Sequence, residues 1–107
     1  MTWFVFRPEK AQAYGKPTDN RFLVRAGSTA MAEGSPRKKR DRPLRDKLLR
    51  DGVLCADKDP ELLRFTRDYE FTSASAAAGI VKDGNASGPQ LWKDEKTGRS
   101  LKEAFGR

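Results

Sequence analysis

The stretch "FTSASAAAGIVKDG", Phe71 to Gly84, decides how this chain is read. It is a block of small side chains inside a sequence of which 35% of residues are charged. Ser73 suits a helix N-cap, and the alanines behind it are the strongest helix formers. A helix is therefore predicted from Ser73 to about Lys82. Its flank of Ala76, Ala77, Ala78 and Gly79 allows close approach to a sheet, with Ile80 and Val81 as the apolar anchor. Its N-terminus offers a second use. Free backbone N–H groups and the hydroxyls of Thr72, Ser73 and Ser75 can hold a phosphate. A helix can pack along its flank and bind at its end, so both readings stand at this stage.

A second helix is predicted over "RPLRDKLLRDG", Arg42 to Gly52. Asp41 can cap it, Pro43 fits the first turn, and Gly52 suits the stop. Leu44 and Leu48 share one face with Leu49 to the side, while Arg42, Asp46 and Arg50 line the opposite face. Around the helices lie candidate strands: "TWFVF", halted by Pro8; "RFLVRAG", Arg21 to Gly27; a third strand region from Leu62 to Tyr69; and a short strand in "QLWKDE". "RSLKEAF" is read as a closing strand or helical turn. Residues 8–20 read as a short connection, and residues 29–41 as a flexible basic loop. Strand, strand, helix, strand, helix, strand predicts an α+β domain, a small mainly antiparallel sheet with two helices packed on one face. At 107 residues the chain has the length of one domain, residues 1–107.

The charge is unevenly distributed. Of the formal +7, residues 37–50 carry +6: Arg37, Lys38, Lys39, Arg40, Arg42, Arg45, Lys47 and Arg50 against Asp41 and Asp46. Concentrated positive charge attracts phosphate. Arg37, Lys38, Lys39 and Arg40 can follow a nucleic-acid backbone, with Arg42, Lys47 and Arg50 as the helical extension. Such contacts position a partner without reading its sequence. The alternative is a solvated loop and helix face. Trp92 likewise has two readings, a core aromatic or a stacking platform for a base beside Lys93. Trp3, Phe4 and Phe6 read as core on one face, with one of them available to a docking domain.

Several functions are excluded by composition. The chain has no histidine, which removes Cys–His and Ser–His–Asp chemistry and most zinc sites. No catalytic residue, metal ligand or cofactor is assigned, and a non-enzymatic role is expected. Asp57, Asp59 and Glu61 read as an exposed acidic turn, lacking the ligand number and glycine of a calcium loop. One cysteine, Cys55, cannot form an intrachain disulfide and reads as a small buried hydrophobe in a reducing compartment. No apolar run reaches membrane-span length, and Trp3 to Phe6 is too short for a signal-peptide core. A cytoplasmic protein with no membrane partner is expected.

Three segments in order carry a family resemblance. "AYGKPTDNRFLVRAGSTA" places a strand before the pair Gly27–Ser28. "RPLRDKLLRDGVL" places an arginine, a leucine helix and a glycine-hydrophobic exit. "FTSASAAAGIVKDGNASGPQLWK" places a phenylalanine, a serine cap, an alanine run, a glycine loop and Trp92–Lys93. Over about Ala13 to Phe105 the chain resembles the domain of unknown function found C-terminal to GIY-YIG nuclease domains and in restriction–modification proteins. It departs at Ala74, where proline is usual, and at Ser87, where asparagine is usual. The resemblance implies an accessory DNA-associated module. The alternative is a protein-interaction module, docking a nuclease or methylase chain through the small-residue helix or the N-terminal aromatic strand.

Overall fold

Strand formation starts where aromatic and β-branched side chains are densest. In the computed structural model, which describes residues 3–32, 42–84 and 87–104, β1 is Phe4–Phe6, β2 Ala13–Pro17, β3 Phe22–Val24 and β4 Thr29–Met31. Helix α1, Arg42–Arg50, leads to β5, Leu54–Ala56, β6, Leu62–Phe65, and β7, Tyr69–Phe71. Then follow α2, Ala74–Lys82, α3, Gly88–Leu91, β8, Lys93–Asp94, and α4, Leu101–Ala104. The class is α+β, and all strand pairings among the described residues are antiparallel.

The expected single sheet is two. A five-stranded sheet runs β7-β3-β2-β1-β8, and a three-stranded sheet runs β4-β6-β5. The difference arises in the short segments. Ala13–Pro17, read as a connection, pairs with both β1 and β3. Thr29–Met31, assigned to the loop over 29–41, pairs with β6, Met31 opposite Leu62. The region Leu62 to Tyr69 splits into β6 and β7, which lie in different sheets. The "QLW" segment is mostly helical turn, and only Lys93–Asp94 pairs, with β1. A strand of three residues carries almost no alternation of its own, so its partners decide it.

Gly27 and Ser28 join the two sheets. Gly27 has φ of 89°, a left-handed conformation open to glycine, and its N–H donates to Phe65 O at 2.9 Å. Phe65 N–H returns to Ser28 O at 2.8 Å. The buried Ser28 hydroxyl accepts from Tyr14 N–H at 3.0 Å, tying β2 to the junction.

Both long helices end as their sequences require. Ser73 takes an extended conformation and its hydroxyl accepts from Ala76 N–H at 3.0 Å. Asp83 closes α2 in the left-handed region, φ 58°, its N–H directed at the carbonyls of Gly79 and Ile80. In α1, Leu48 is fully buried, Leu44 half-buried and Leu49 exposed, as the helical spacing indicates. Val53 N–H reaches back to Leu48 O at 2.9 Å to end that helix.

The core joins the inner faces of both sheets to α2. Phe4, Phe6, Ala13, Phe22, Val24 and Phe71 come from the larger sheet, Ala30, Leu54, Leu63 and Phe65 from the smaller, and Ala77, Ala78, Ile80 and Val81 from α2. Trp92 enters it from the end of α3. Gly88 makes this possible by lying against the α2 backbone, where an added Cβ would sit closer than 3.0 Å to atoms of Ala74 and Ser75. Backbone atoms cannot move aside as a flexible side-chain end can. Gly88→Ala is therefore expected to destabilise the fold by about 1–3 kcal/mol or more, read as a lowered urea midpoint. A midpoint equal to the wild type would show that α3 does not press on α2.

Candidate nucleic-acid interface

The basic residues of the sequence separate into three groups. Arg37, Lys38, Lys39 and Arg40 lie outside the described residues. Arg42 opens α1. Lys47 and Arg50 are exposed on that helix. Lys47 Nζ contacts Asp51 Oδ2 at 2.8 Å, one turn away. This hydrogen bond raises Lys47 above the ordinary lysine value and lowers Asp51 below the usual carboxylate value. Arg67, which sequence reasoning passed over, donates from Nη2 to Asp51 O at 3.4 Å and joins Lys47 and Arg50 at the end of α1. Only the tertiary fold brings it there, because Arg67 follows β6.

Arg45 behaves differently from its basic neighbours. It is 4% exposed, and its Nη1 lies 3.8 Å from Oδ1 of Asp83, itself 3% exposed. The guanidinium also donates to Met31 O at 3.3 Å and to Ala32 O. One side chain thus ties α1 to the end of β4 and the end of α2. Its charge is spent inside the protein and drops out of any phosphate-binding surface. The sequence held a clue: Arg45 precedes Leu48 by three residues and so borders the apolar face.

The residues around α2 are committed to the fold. Ser73 caps the helix. Ser75 Oγ accepts from Gly88 N–H at 3.0 Å. Trp92 is fully buried, its Nε1–H donates to Ala74 O at 3.0 Å, and its ring packs on Phe22 and Phe6 with centroids 4.7 and 5.7 Å away. No ring face remains for a base, which corrects the stacking-platform reading. Lys93 beside it is exposed on β8. So the structure does not join Ser73, Ser75, Trp92 and Lys93 into one solvent-facing site. Phe4 and Phe6 are buried, and Trp3 is the aromatic left half-exposed.

The acidic turn is internally paired. Lys10 Nζ lies 3.1 Å from Asp59 and 3.2 Å from Glu61, and Arg64 pairs with Asp57 at 3.5 Å. Cys55 is half-buried rather than buried, with Arg64 Nη2 3.5 Å from its sulfur. Among the described residues, no helix is long and apolar enough to cross a membrane.

Two outcomes separate structural from binding roles. Ser73→Ala should cost about 1 kcal/mol of stability through the lost cap, with DNA affinity unchanged in an anisotropy titration. A stable variant with weakened binding would return the helix end to the interface. Arg45→Met should cost about 3–5 kcal/mol by removing a buried cationic partner of Asp83 together with the donors to Met31 O and Ala32 O. Adding Asp83→Asn should recover part of that loss in urea denaturation, since asparagine tolerates the left-handed conformation.

No curated protein and no solved structure matches this chain. The segments that set its sequence apart all hold structural positions: Gly27–Ser28 at the sheet junction, the leucine helix, the serine-capped alanine helix and the buried Trp92. The chain that carries this set belongs to the domain-of-unknown-function family DUF4357, which it matches over residues 4–105.

Proposed function

We propose that this protein is an accessory, non-catalytic nucleic-acid-binding module. The observation that carries this reading is the concentration of positive charge in residues 37–50. After the buried Arg45 is set aside, Lys47 and Arg50 remain exposed on α1, with Arg67 beside them. Cations on a helix and in the sequence before it suit phosphate contact, which depends on charge density more than on fixed geometry. The resemblance to domains accompanying GIY-YIG nucleases and restriction–modification proteins supports DNA as the partner, with the module helping to bring a nuclease or methylase to it.

The protein-docking alternative draws less support. Ala77, Ala78, Ile80 and Val81 of the small-residue helix, and Phe4 and Phe6 of the aromatic strand, are buried in the protein's own core. Among the described residues Leu49, 39% exposed, is the large aliphatic side chain most open to water, and Trp3 is half-exposed on the opposite side of its strand from Phe4 and Phe6. Together they offer a small apolar contact for a partner chain.

The test is fluorescence anisotropy on a labelled DNA duplex across a salt series. Four phosphate contacts by Arg37, Lys38, Lys39 and Arg40 give a slope of log affinity against log salt of order −3 to −4. Replacing these four by alanine should flatten the slope by about that amount. Absence of binding to duplex and single strands at low salt would overturn the reading.

A further inference from the structure

The larger sheet has a second face, which the core does not use. Strand alternation sends Phe4, Phe6, Ala13, Phe22 and Val24 inward. It sends Trp3, Val5, Tyr14, Lys16, Leu23 and Arg25 to the other face, where Val5 is buried at 5% exposure and Trp3, Tyr14, Lys16, Leu23 and Arg25 are half-exposed. The register arranges them in two rows. In one, Lys93 faces Val5, Val5 faces Tyr14, and Arg25 N–H bonds Tyr14 O. In the other, Glu95 N–H bonds Trp3 O, and Lys16 faces Leu23, which faces Glu70.

Three features of this face point in one direction. First, it interleaves rings with cations. The Arg25 guanidinium stacks 4.8 Å from the Trp3 ring and 4.4 Å from the Tyr14 ring, and Lys16 Nζ lies 5.0 Å over Trp3. Second, the Arg25 guanidinium lies over both rings. Among the described residues no carboxylate or carbonyl accepts a hydrogen bond from this guanidinium, so its N–H donors are available to phosphate or base oxygens. Third, the carboxylates near this face lie on the two edge strands or beside them: Asp68 just before β7, its Oδ1 accepting from Ala26 N–H at 2.8 Å, Glu70 on β7 and Glu95 after β8. The inner strands carry Tyr14 and Lys16, with Trp3 directly before β1 and Arg25 directly after β3.

We infer that the outer face of the five-stranded sheet binds single-stranded nucleic acid, with bases stacking on Trp3 and Tyr14 and phosphates meeting Arg25 and Lys93. The inference rests on the nucleic-acid reading above and gives it a preferred strand state. Bases of a duplex are already stacked on one another and cannot lie on a sheet, whereas unpaired bases can. From Lys93 to Arg25 the row crosses four strands, roughly 14 Å, room for a few nucleotides. An antiparallel sheet tolerates this arrangement because it can pack one face and solvate the other. Stacking tolerates any base, so little sequence preference follows from these residues.

The experiment uses the intact chain with labelled oligothymidylate and oligouridylate of about a dozen nucleotides, and a duplex of equal length. Trp3→Ala should weaken single-strand binding roughly 5- to 150-fold and leave duplex affinity nearly unchanged. Trp3→Phe keeps a ring and should retain most single-strand affinity. It should also abolish the binding-induced quench of tryptophan fluorescence, since Trp92 is buried away from this face. Arg25→Gln, which keeps the strand and most of the stem, should weaken single-strand binding independently of any folding defect in Trp3→Ala. The two single-strand arms show whether the 2′-hydroxyl matters. Wild-type single-strand affinity in both Trp3→Ala and Arg25→Gln, with binding lost on replacing Lys47 and Arg50, would overturn the sheet-face site and leave the phosphate-binding reading standing. No binding of any nucleic acid at low salt would remove both, and would leave the face to a protein partner.

Discussion

The fold depends on the burial of Trp92 against the first turn of α2. An indole is large, and its N–H must find an acceptor once water is excluded. Ala74 O supplies it at 3.0 Å, in the first turn of α2. For the indole to reach that oxygen, α3 must approach α2 at backbone contact, and Gly88 permits this by having no side chain. Ser75 then takes the Gly88 N–H and holds the two helices in register. Phe6 and Phe22 press on the indole from the larger sheet, each pair contributing on the order of 1 kcal/mol beyond area burial. The alanine run beside this contact provides a thin flank, so that one helix serves two sheets.

Two further ties fix what the Trp92 contact leaves open. Gly27 and Ser28 exchange hydrogen bonds with Phe65 and join the sheets at one corner. Arg45 joins α1 to the ends of β4 and α2 through Met31 O, Ala32 O and Asp83. A buried ion pair of this kind adds little net stability over an apolar contact, but losing one partner is costly. It is better understood as setting where α1 sits, and so where Lys47 and Arg50 point. The positive helix face and the mixed aromatic-basic sheet face are then two separate surfaces on one rigid frame. One is built of long flexible cations, the other of rings and a stacked guanidinium.

The sequence determined the local elements whose signals are self-contained. Ser73 and the alanines behind it fixed α2, since capping and helix propensity act within a few residues. Leu44 and Leu48 fixed the buried face of α1 by spacing alone. The charge of residues 37–50 is likewise a property of composition. Three-residue strands such as Thr29–Met31 and Leu54–Ala56 could not be read this way, because their pairing energy comes from partners distant in the chain.

The tertiary structure alone decided which side chains face water. Trp92 and Arg45 were withdrawn from the surface and Trp3 was left on it, although aromatic and basic residues on both sides of that division look alike in sequence. Burial depends on which elements meet, and a one-residue change in strand register exchanges the two faces of a sheet. The alternation that placed Phe4 and Phe6 inside also placed Trp3 outside. Its meeting with Tyr14, Lys16 and Arg25 required β1, β2 and β3 to pair in the observed register, which no local signal in those residues specifies.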